Sequence, residues 1–239
     1  MLAAVFLSVH TPRYCTFEAA FEGKLASEAF RPVREGMIDQ GREVEQAELD
    51  VVVINSCHLV TTFPTVVDGT PRHRGVLTAQ EAPELIHGVA YDYPGDYELA
   101  ARLIARGRRE GYQCVLANDV HYPLDYGTVM PMACYLDRAQ RLPMIPVSVC
   151  LSADLVEAFG WGRSLAQVAR ESPKRIGFVV SGSVSHKLVR DPARGPRPED
   201  EALDHQFACL LSEGDYEKLW NWMPEFARAA EPEIGRAHV

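Results

Sequence analysis

The sequence has few of the features that mark a secreted, membrane or nucleic-acid-binding protein. Its six cysteines stand singly with no CxxC pair, so neither a zinc ribbon nor a disulfide-stapled fold is indicated. Its 33 aspartates and glutamates outnumber its 24 lysines and arginines, and the net charge of -9 gives no basic excess for nucleic acid. We therefore predict free thiols in a reducing cytoplasm and no nucleic-acid partner.

A long hydrophobic run is also missing. The first residues, MLAAVFLSVHTPRY, include an apolar stretch that is too short for a membrane span and has no positive charge before it. We interpret this stretch as a strand and expect neither a signal peptide nor a membrane partner. With 239 residues, 47% of them hydrophobic and 24% charged, the composition is that of a globular protein. We expect a single catalytic domain over residues 1–239.

Strands and helices alternate along most of the chain. Short apolar runs rich in β-branched residues predict strands at Ala3–Val9, Val51–Ile54, Cys114–Ala117, Ile145–Cys150 and Ile176–Val180. Apolar residues at helical spacing predict helices at Phe17–Val44, interrupted at Pro32, and at Tyr97–Arg109, Val129–Ala139 and Leu155–Ala169. This alternation favours an α/β fold, with a central mostly parallel or mixed sheet that helices cover on both sides.

The last part of the chain is predicted to be helical. The segment Arg190–Asp200 is rich in proline and charge, which indicates an exposed loop after the sheet. Helices are expected at Glu201–Ser212 and Tyr216–Met223, and Pro224 is expected to start a further helical turn through Ala230.

Three histidines come after predicted strands, where open α/β sheets place their ligand-binding residues. His10 follows the first strand in SVHTP, and His58 follows the second in INSCHL. The two imidazoles could share a metal ion, but histidines after strands are often hydrogen-bonded structural residues. His186 in VSGSVSHKL could move a proton near neutral pH, or it could belong to a serine-capped turn.

Other polar residues could complete such a site. Tyr126 in YPLDYGTVMPM stands at a predicted loop-to-helix junction, where its phenol could point to the same edge. Glu231 and Glu233 in AAEPEIG could supply a carboxylate, although carboxylates in such a stretch are more often solvated. Two histidines and one carboxylate form the facial triad that holds non-haem Fe(II) with open positions for substrate and oxygen.

Taken together, these segments resemble the class III extradiol ring-cleavage dioxygenases. The resemblance covers nearly the whole chain and is carried by SVHTP, INSCHLV, GVLTAQEAPELIHGVAYDYPGDYELA, LDYGTVMPM, VSGSVSHKL and LDHQFACLLSEGDYEKLWNWMPEFA. Many members of the family have a histidine where this chain has Tyr126, whereas the homoprotocatechuate (3,4-dihydroxyphenylacetate) branch is similar in having a tyrosine. The segment NDVHYPLDYG around His121 departs from that branch, which leaves the choice of substrate open.

The resemblance implies a ligand set and a reaction. It implies that His10, His58 and Glu233 bind Fe(II), with Glu231 as the second candidate for the carboxylate. It further implies that His186 is the acid/base beside the bound oxygen and that Tyr126 hydrogen-bonds toward the substrate or oxygen. The implied reaction inserts both atoms of O2 into a catechol, with 3,4-dihydroxyphenylacetate as the expected substrate and a muconic semialdehyde as the product.

The resemblance also bears on assembly and chain length. Members of the family associate, so a homo-oligomer is expected. Chains of the family continue by several tens of residues beyond the glutamate ligand, whereas this sequence stops at Val239, so either the sequence is truncated or its C-terminus differs from that of the family.

Several alternatives remain open at this point. Cleavage of 2-aminophenol or protocatechuate would use the same iron site with a different pocket. A non-catalytic partner subunit would have lost metal ligands, and a ring-opening enzyme of the plant-pigment type would use zinc. A substrate carboxylate needs a positive partner, for which Arg13, Arg72, Arg74 and Lys187 are candidates. Cys57 is expected to pack behind the site rather than tune it.

Overall fold

The computed structural model describes residues 1–10, 31–79, 83, 86–137, 141–187, 189 and 195–231. Its strands are β1 (Leu2–Ser8), β2 (Val51–Thr61), β3 (Thr65–Asp68), β4 (Arg72–Thr78), β5 (His87–Pro94), β6 (Cys114–Ala117), β7 (Met144–Cys150) and β8 (Ile176–Ser181). Its helices are α1 (Arg31–Gln46), α2 (Tyr97–Arg109), α3 (Tyr126–Pro131), α4 (Leu155–Arg170), α5 (Pro198–Glu213) and α6 (Tyr216–Ala230).

Six strands form one sheet in the order β1-β8-β2-β7-β3-β6. Neighbouring strands in it are parallel, except that β3 meets β7 antiparallel at Val67 and Val147. The strands β4 and β5 form a separate antiparallel pair. The predicted α/β fold with a mostly parallel sheet flanked by helices is confirmed.

The sheet is buried on both faces, which explains why its strands are almost continuously apolar. Successive side chains of a strand point to opposite faces. In β2, Val52 and Ile54 join a core cluster on one face, and Val51 and Val53 join a cluster on the other. The first cluster includes side chains of α1, α3, β4 and β5, and the second includes side chains of α2 and α4. Full burial of each such side chain contributes about 1.5–3 kcal/mol.

Several predicted boundaries of helices and strands agree with the structure, but the predicted end of the second strand does not, and this changes the position of His58. Tyr97–Arg109 and Cys114–Ala117 have the predicted bounds. The second strand does not end at Ile54 but continues to Thr61, so the prediction that His58 follows this strand was wrong. Polar residues had suggested an end, but Asn55 and Ser56 remain paired in register with β7 and β8.

The helices also differ from their predicted spans. In place of Val129–Ala139, α3 starts at Tyr126 and runs into one π-helical turn at Met132–Leu136. Pro32 lies in the first turn of α1, where its missing N–H group is tolerated. The part of the first predicted helix before residue 31 lies outside the described residues.

The C-terminal region consists of two helices packed on each other. The helix α5 starts at Pro198, so the last residues of the predicted loop Arg190–Asp200 are helical, while residues 190–194 lie outside the described part. The helix α6 is continuous through Pro224 rather than restarting there. Phe207 of α5 stacks on Phe226 of α6 with ring centroids 5.1 Å apart. Among the helices that the structure describes, none is long and apolar enough to cross a bilayer.

Candidate metal centre

The carboxyl ends of three parallel strands meet at one edge of the sheet. Ser181 of β8 pairs with Ser8 of β1 on one side and with Ser56 of β2 on the other, so the three strands reach this edge together. His10 comes two residues after Ser8, and His58 comes two residues after Ser56. Open α/β sheets bind their ligands at this kind of edge.

An irregularity in β2 positions the residues around His58. Against β7, Ser56 pairs with Ser148 and Val60 pairs with Val149, so the three residues between Ser56 and Val60 have no counterparts on the neighbouring strand. Such bulges redirect side chains and occur beside active sites. Here His58 Nε2 lies 3.1 Å from His10 Nε2, and Cys57 Sγ lies 3.8 Å from the same nitrogen.

The protonation of the His10 ring follows from its neighbours. The Ser181 hydroxyl donates its proton to the carbonyl oxygen of Gly127 at 2.5 Å, so its oxygen must accept from His10 Nδ1 at 2.9 Å. With the proton on Nδ1, the neutral ring has a lone pair on Nε2, the atom that faces His58. Ligating histidines are commonly held in this way by a second hydrogen bond.

A second set of hydrogen bonds fixes α3 against β2. Asp125 caps α3 by accepting from the Thr128 N–H group at 3.0 Å and from its hydroxyl at 2.7 Å. It also accepts from the Ser56 hydroxyl at 2.5 Å, and Ser56 Oγ accepts from the His58 N–H group at 3.1 Å. A Cβ atom at Gly127 would clash with Ser56 Oγ, so this close approach requires glycine.

The ring of Tyr126 packs against the two histidines. Its ring centroid is 3.9 Å from that of His58, at an angle of 37°, and 5.4 Å from that of His10. The two imidazole planes are themselves perpendicular, with centroids 4.9 Å apart. His10 is 5% exposed, whereas His58 and Tyr126 are half-buried, so among these three rings it is His58 and Tyr126 that reach the surface.

The donor atoms fit a divalent transition metal. One possible ligand atom from each of His10, Cys57 and His58 lies within 4.8 Å of the others, and this is the potential metal-binding group among the described residues. Two nitrogens that are each about 2.1 Å from one ion and about 90° apart lie about 3 Å from each other. The observed 3.1 Å between the Nε2 atoms matches that separation.

His186 and Glu231 line one cleft, and neither belongs to the donor group of His10, Cys57 and His58. The backbone N–H group of His186 donates to the carbonyl oxygen of Ala230 at 3.4 Å, and Lys187 Nζ lies 3.8 Å from Glu231 Oε1. A cleft of about 660 Å³ is lined by His186, Lys187, Val189, Gly195, Arg197, Asp200 and Glu231. Glu233, the preferred carboxylate ligand, lies outside the described residues, so its role stays a prediction.

The candidate partners of a substrate carboxylate are already engaged with protein carboxylates where they are described. Arg72 donates to both Asp92 oxygens at 2.6 and 2.7 Å, and Arg74 lies 3.9 Å from the same group. Lys187 Nζ is 3.7 Å from Asp200 as well as close to Glu231. Arg13 lies outside the described residues.

A buried pair that was not expected from the sequence joins β4 to the end of β3. His73 on β4 and Asp68 at the end of β3 are 4% and 2% exposed, with Nδ1 and Oδ2 3.7 Å apart. Burial lowers the pKa of His73, and the nearby Asp68 charge opposes this only in part. The segment RHRGV alternates between exposed and buried positions, as a strand does, and its histidine occupies an inward position. The arginines on either side of the histidine make the segment too polar to be recognised as a strand.

Similarity to known proteins identifies the family of this chain. The family model described as the catalytic LigB subunit of aromatic ring-opening dioxygenase matches residues 5–239. The chain belongs to this family. LigB enzymes are metal-dependent extradiol-type dioxygenases, so the resemblance predicted from the sequence is confirmed at the level of the family.

Individual relatives are more distant. A 3,4-dihydroxyphenylacetate 2,3-dioxygenase of Escherichia coli is 23% identical over 205 residues, which are 81% of this chain and 74% of that protein. The crystal structure of an uncharacterized protein from Escherichia coli K12 is similar, with a TM-score of 0.58 and 21% identity over 73% of this chain. The chain spans 65% of the length of that structure, and this likeness concerns the fold.

Proposed function

We propose that this LigB-family protein opens the ring of a catechol with O2 at an Fe(II) ion held by His10 and His58, with 3,4-dihydroxyphenylacetate as the substrate. The observation that carries the proposal is the convergence of the two Nε2 atoms, 3.1 Å apart, at the edge where the parallel strands end. The relative named for that substrate supports the choice of catechol. The same convergence argues against a non-catalytic partner subunit, which would not need to preserve it.

The bound ion would supply open coordination positions for catechol and O2 and a path for electrons between them. The chain's own residues hold it in place. Ser181 keeps His10 in the tautomer with a lone pair on Nε2, and the bulge in β2 brings His58 to the same point. Glu233 is assigned the remaining protein ligand position on the strength of the family resemblance.

Two further residues are assigned to proton movement and orientation. Tyr126 packs on the His58 ring and directs its hydroxyl to the substrate or to oxygen, where it donates a hydrogen bond. His186 accepts a proton from a catechol hydroxyl on an imidazole nitrogen and returns it to an oxygen of the opening ring. Its place five residues after Ser181, on the segment that leaves the same sheet edge, supports this assignment.

The proposal extends to the setting of the enzyme. We assign it to the cytoplasm as a single-domain protein that forms a homo-oligomer. The described cysteines at positions 114, 150 and 209, which form no disulfide, support a reducing compartment, and the family resemblance supports the assembly.

The test is anaerobic loading with Fe(II), followed by 3,4-dihydroxyphenylacetate in air, with oxygen uptake and the yellow semialdehyde as readouts. Oxygen uptake is expected in the native chain and is expected to vanish in His58→Ala. Parallel assays with protocatechuate and 2-aminophenol decide between the substrate alternatives. A folded protein that binds one iron but consumes no oxygen with any of the three substrates would contradict the proposal.

A further inference from the structure

We infer that Asp204 is a positioning residue for His186, whose carboxylate holds Ser185 and thereby orients the imidazole of the next residue for proton transfer. The inference deepens the proposed function and rests on it, because it requires that His186 moves a proton during ring opening. A positioning residue of this kind acts through the chain segment that carries the histidine. Asp204 lies on α5, which carries none of the residues assigned to metal binding or proton transfer.

The residue before His186 is tied to α5 by a side-chain hydrogen bond. The Ser185 hydroxyl donates to Asp204 Oδ2 at 2.8 Å, and both residues are half-buried. Hydrogen bonds to an ionised carboxylate are stronger than those between neutral groups. Val184, one residue earlier, packs against the apolar cluster that α5 and α6 form. The backbone directly before His186 is therefore fixed against this pair of helices.

His186 itself and the residue after it are held by the same two helices. The backbone N–H group of His186 donates to the carbonyl oxygen of Ala230, the last residue of α6, at 3.4 Å. Lys187 Nζ lies 3.7 Å from Asp200 Oδ1, and Asp200 is one helical turn before Asp204 on α5. The histidine thus has an anchor to α5 on each side in the sequence, and the anchor before it is the shorter contact.

Asp204 points inward, unlike the polar residues that follow it. His205 and Gln206 are exposed, whereas Asp204 is half-buried and lies three residues before the buried Phe207, on the same side of the helix. Its second oxygen, Oδ1, is shielded from solvent and has no hydrogen-bond partner among the described residues. A buried acceptor without a partner destabilises the folded state, so stability does not explain a carboxylate here. Such departures are expected beside functional sites.

The segment that carries His186 is also fixed at its start, beside the metal centre. Gly182, directly after β8, donates its N–H group to the carbonyl oxygen of Ser8 at 3.0 Å, and Ser8 is two residues before His10. Only two residues lie between this hydrogen bond and the one made by Ser185. Loss of the second anchor would let His186 shift, and a displacement of about 1 Å in an active site can cost about 100-fold in rate.

The experiment measures kcat and KM of iron-loaded variants with 3,4-dihydroxyphenylacetate. Asp204→Ala is expected to lower kcat by about 10–100-fold, with KM and iron content within about 3-fold of the native values. Asp204→Asn keeps an oxygen that can accept from Ser185 and is expected to retain most of the activity. Ser185→Ala should match Asp204→Ala, and the double variant should be no slower than either, because both changes remove the same hydrogen bond.

Two controls separate positioning from loss of stability. Asp215→Ala removes the side chain that caps α6, so it is expected to destabilise that helix and to leave kcat unchanged. In a His186→Ala chain, the additional change Asp204→Ala is expected to have no effect on the residual kcat, because the residue that Asp204 positions is already gone.

A second readout needs neither iron nor activity. In the metal-free chain, hydrogen exchange of the His186 backbone amide, followed by NMR, reports how firmly this segment is docked on α6. Asp204→Ala is expected to speed this exchange by about 10-fold or more, while the amide of Val179 within β8 keeps its native rate.

The possible failures are distinguishable. An active enzyme in which Asp204→Ala keeps its native kcat would overturn the inference and leave the proposed function intact, as would unchanged exchange at His186. An equal fall in kcat from Asp204→Ala with and without His186 would show that the effect does not pass through the histidine, which also overturns the inference. A native, iron-loaded chain that consumes no oxygen with any of the three substrates would overturn the proposed function together with the inference.

Discussion

Two buried histidines of this protein lie in contrasting environments. His10 and His73 are 5% and 4% exposed, so burial does not distinguish them. His10 donates from Nδ1 to a serine, and its Nε2 atom points at a second imidazole. His73 has a carboxylate 3.7 Å from Nδ1, and its Nε2 atom has no hydrogen-bond partner among the described residues.

The hydrogen-bond partners of a buried histidine decide whether it is a candidate metal ligand. His10 Nδ1 donates a hydrogen bond to Ser181, which in turn donates to the carbonyl oxygen of Gly127. The lone pair of His10 Nε2 therefore faces the other possible metal ligands. At His73, burial lowers the pKa of the imidazole, and the neighbouring charge of Asp68 raises it. We therefore expect metal binding at His10 and a contribution to pH-dependent stability at His73.

The largest effect should come from removing either imidazole of the metal centre. His10→Ala and His58→Ala are each expected to lose stoichiometric Fe(II) binding, because one nitrogen of the converging pair is gone. Metal analysis after anaerobic dialysis gives the iron content per chain. His73→Gln serves as the matched histidine control and should retain its iron, and equal loss in all three variants would refute the distinction.

A smaller effect is expected from the hydrogen bond that orients His10. Ser181→Ala should weaken metal affinity by about 10–100-fold, as is typical for outer partners of ligating histidines. The matched control is Ser148→Ala, since Ser148 is also buried at the end of a strand but hydrogen-bonds to Thr61 and Val66. Chelator competition measures both affinities, and equal values for the two variants would show that Ser181 does not orient the ligand.

The close packing of α3 on β2 can be tested at Gly127. Gly127→Ala introduces a Cβ against Ser56 Oγ and should reduce the free energy of unfolding by about 1–3 kcal/mol. Gly162→Ala in α4 should instead raise it by about 0.5–1 kcal/mol, because its Cβ would enter open space within a helix. Denaturant unfolding measures both, and a neutral Gly127→Ala would mean that the helix moves without cost.

The smallest effect concerns the pH dependence of stability. Burial keeps the pKa of His73 below its ordinary value of 6.5, so the unfolded chain binds a proton that the folded chain does not. The contribution of His73 to the free energy of unfolding is therefore fully present above pH 6.5 and is lost as the pH falls below that value. Thermal unfolding should show a weaker acid dependence in His73→Gln than in the exposed-histidine control His121→Gln, and parallel pH profiles would contradict the assignment.

The fold was largely predictable from sequence where both faces of a strand are apolar. Five of the six strands of the large sheet were found, as was α2, because their patterns are local and strong, as in Cys114–Ala117 and Tyr97–Arg109, whereas the short strand β3 was missed. The strands β4 and β5 were missed because they belong to a two-stranded sheet in which exposed charged residues alternate with buried ones, as at Arg72 and His73. A pattern of that kind gives little apolar signal.

Three residues of the candidate site could be singled out from the sequence, but the geometry that brings them together could not. His10 and His58 were singled out because they were predicted to follow strands, and Tyr126 because it stands at a predicted loop-to-helix junction; the structure brings their rings together. The bulge could not be predicted, because it depends on the pairing of β2 with β7 and not on the local sequence. The closeness of Cys57 to His10 Nε2 follows from that bulge.

The most direct test is a crystal structure of the protein loaded anaerobically with Fe(II), with anomalous scattering measured at the iron edge. We predict one strong anomalous peak per chain between His10 Nε2 and His58 Nε2, within about 2.0–2.3 Å of both atoms. An iron peak only in the cleft between His186 and Glu231, or no peak in a fully loaded crystal, would contradict the assignment of this sheet edge as the metal centre.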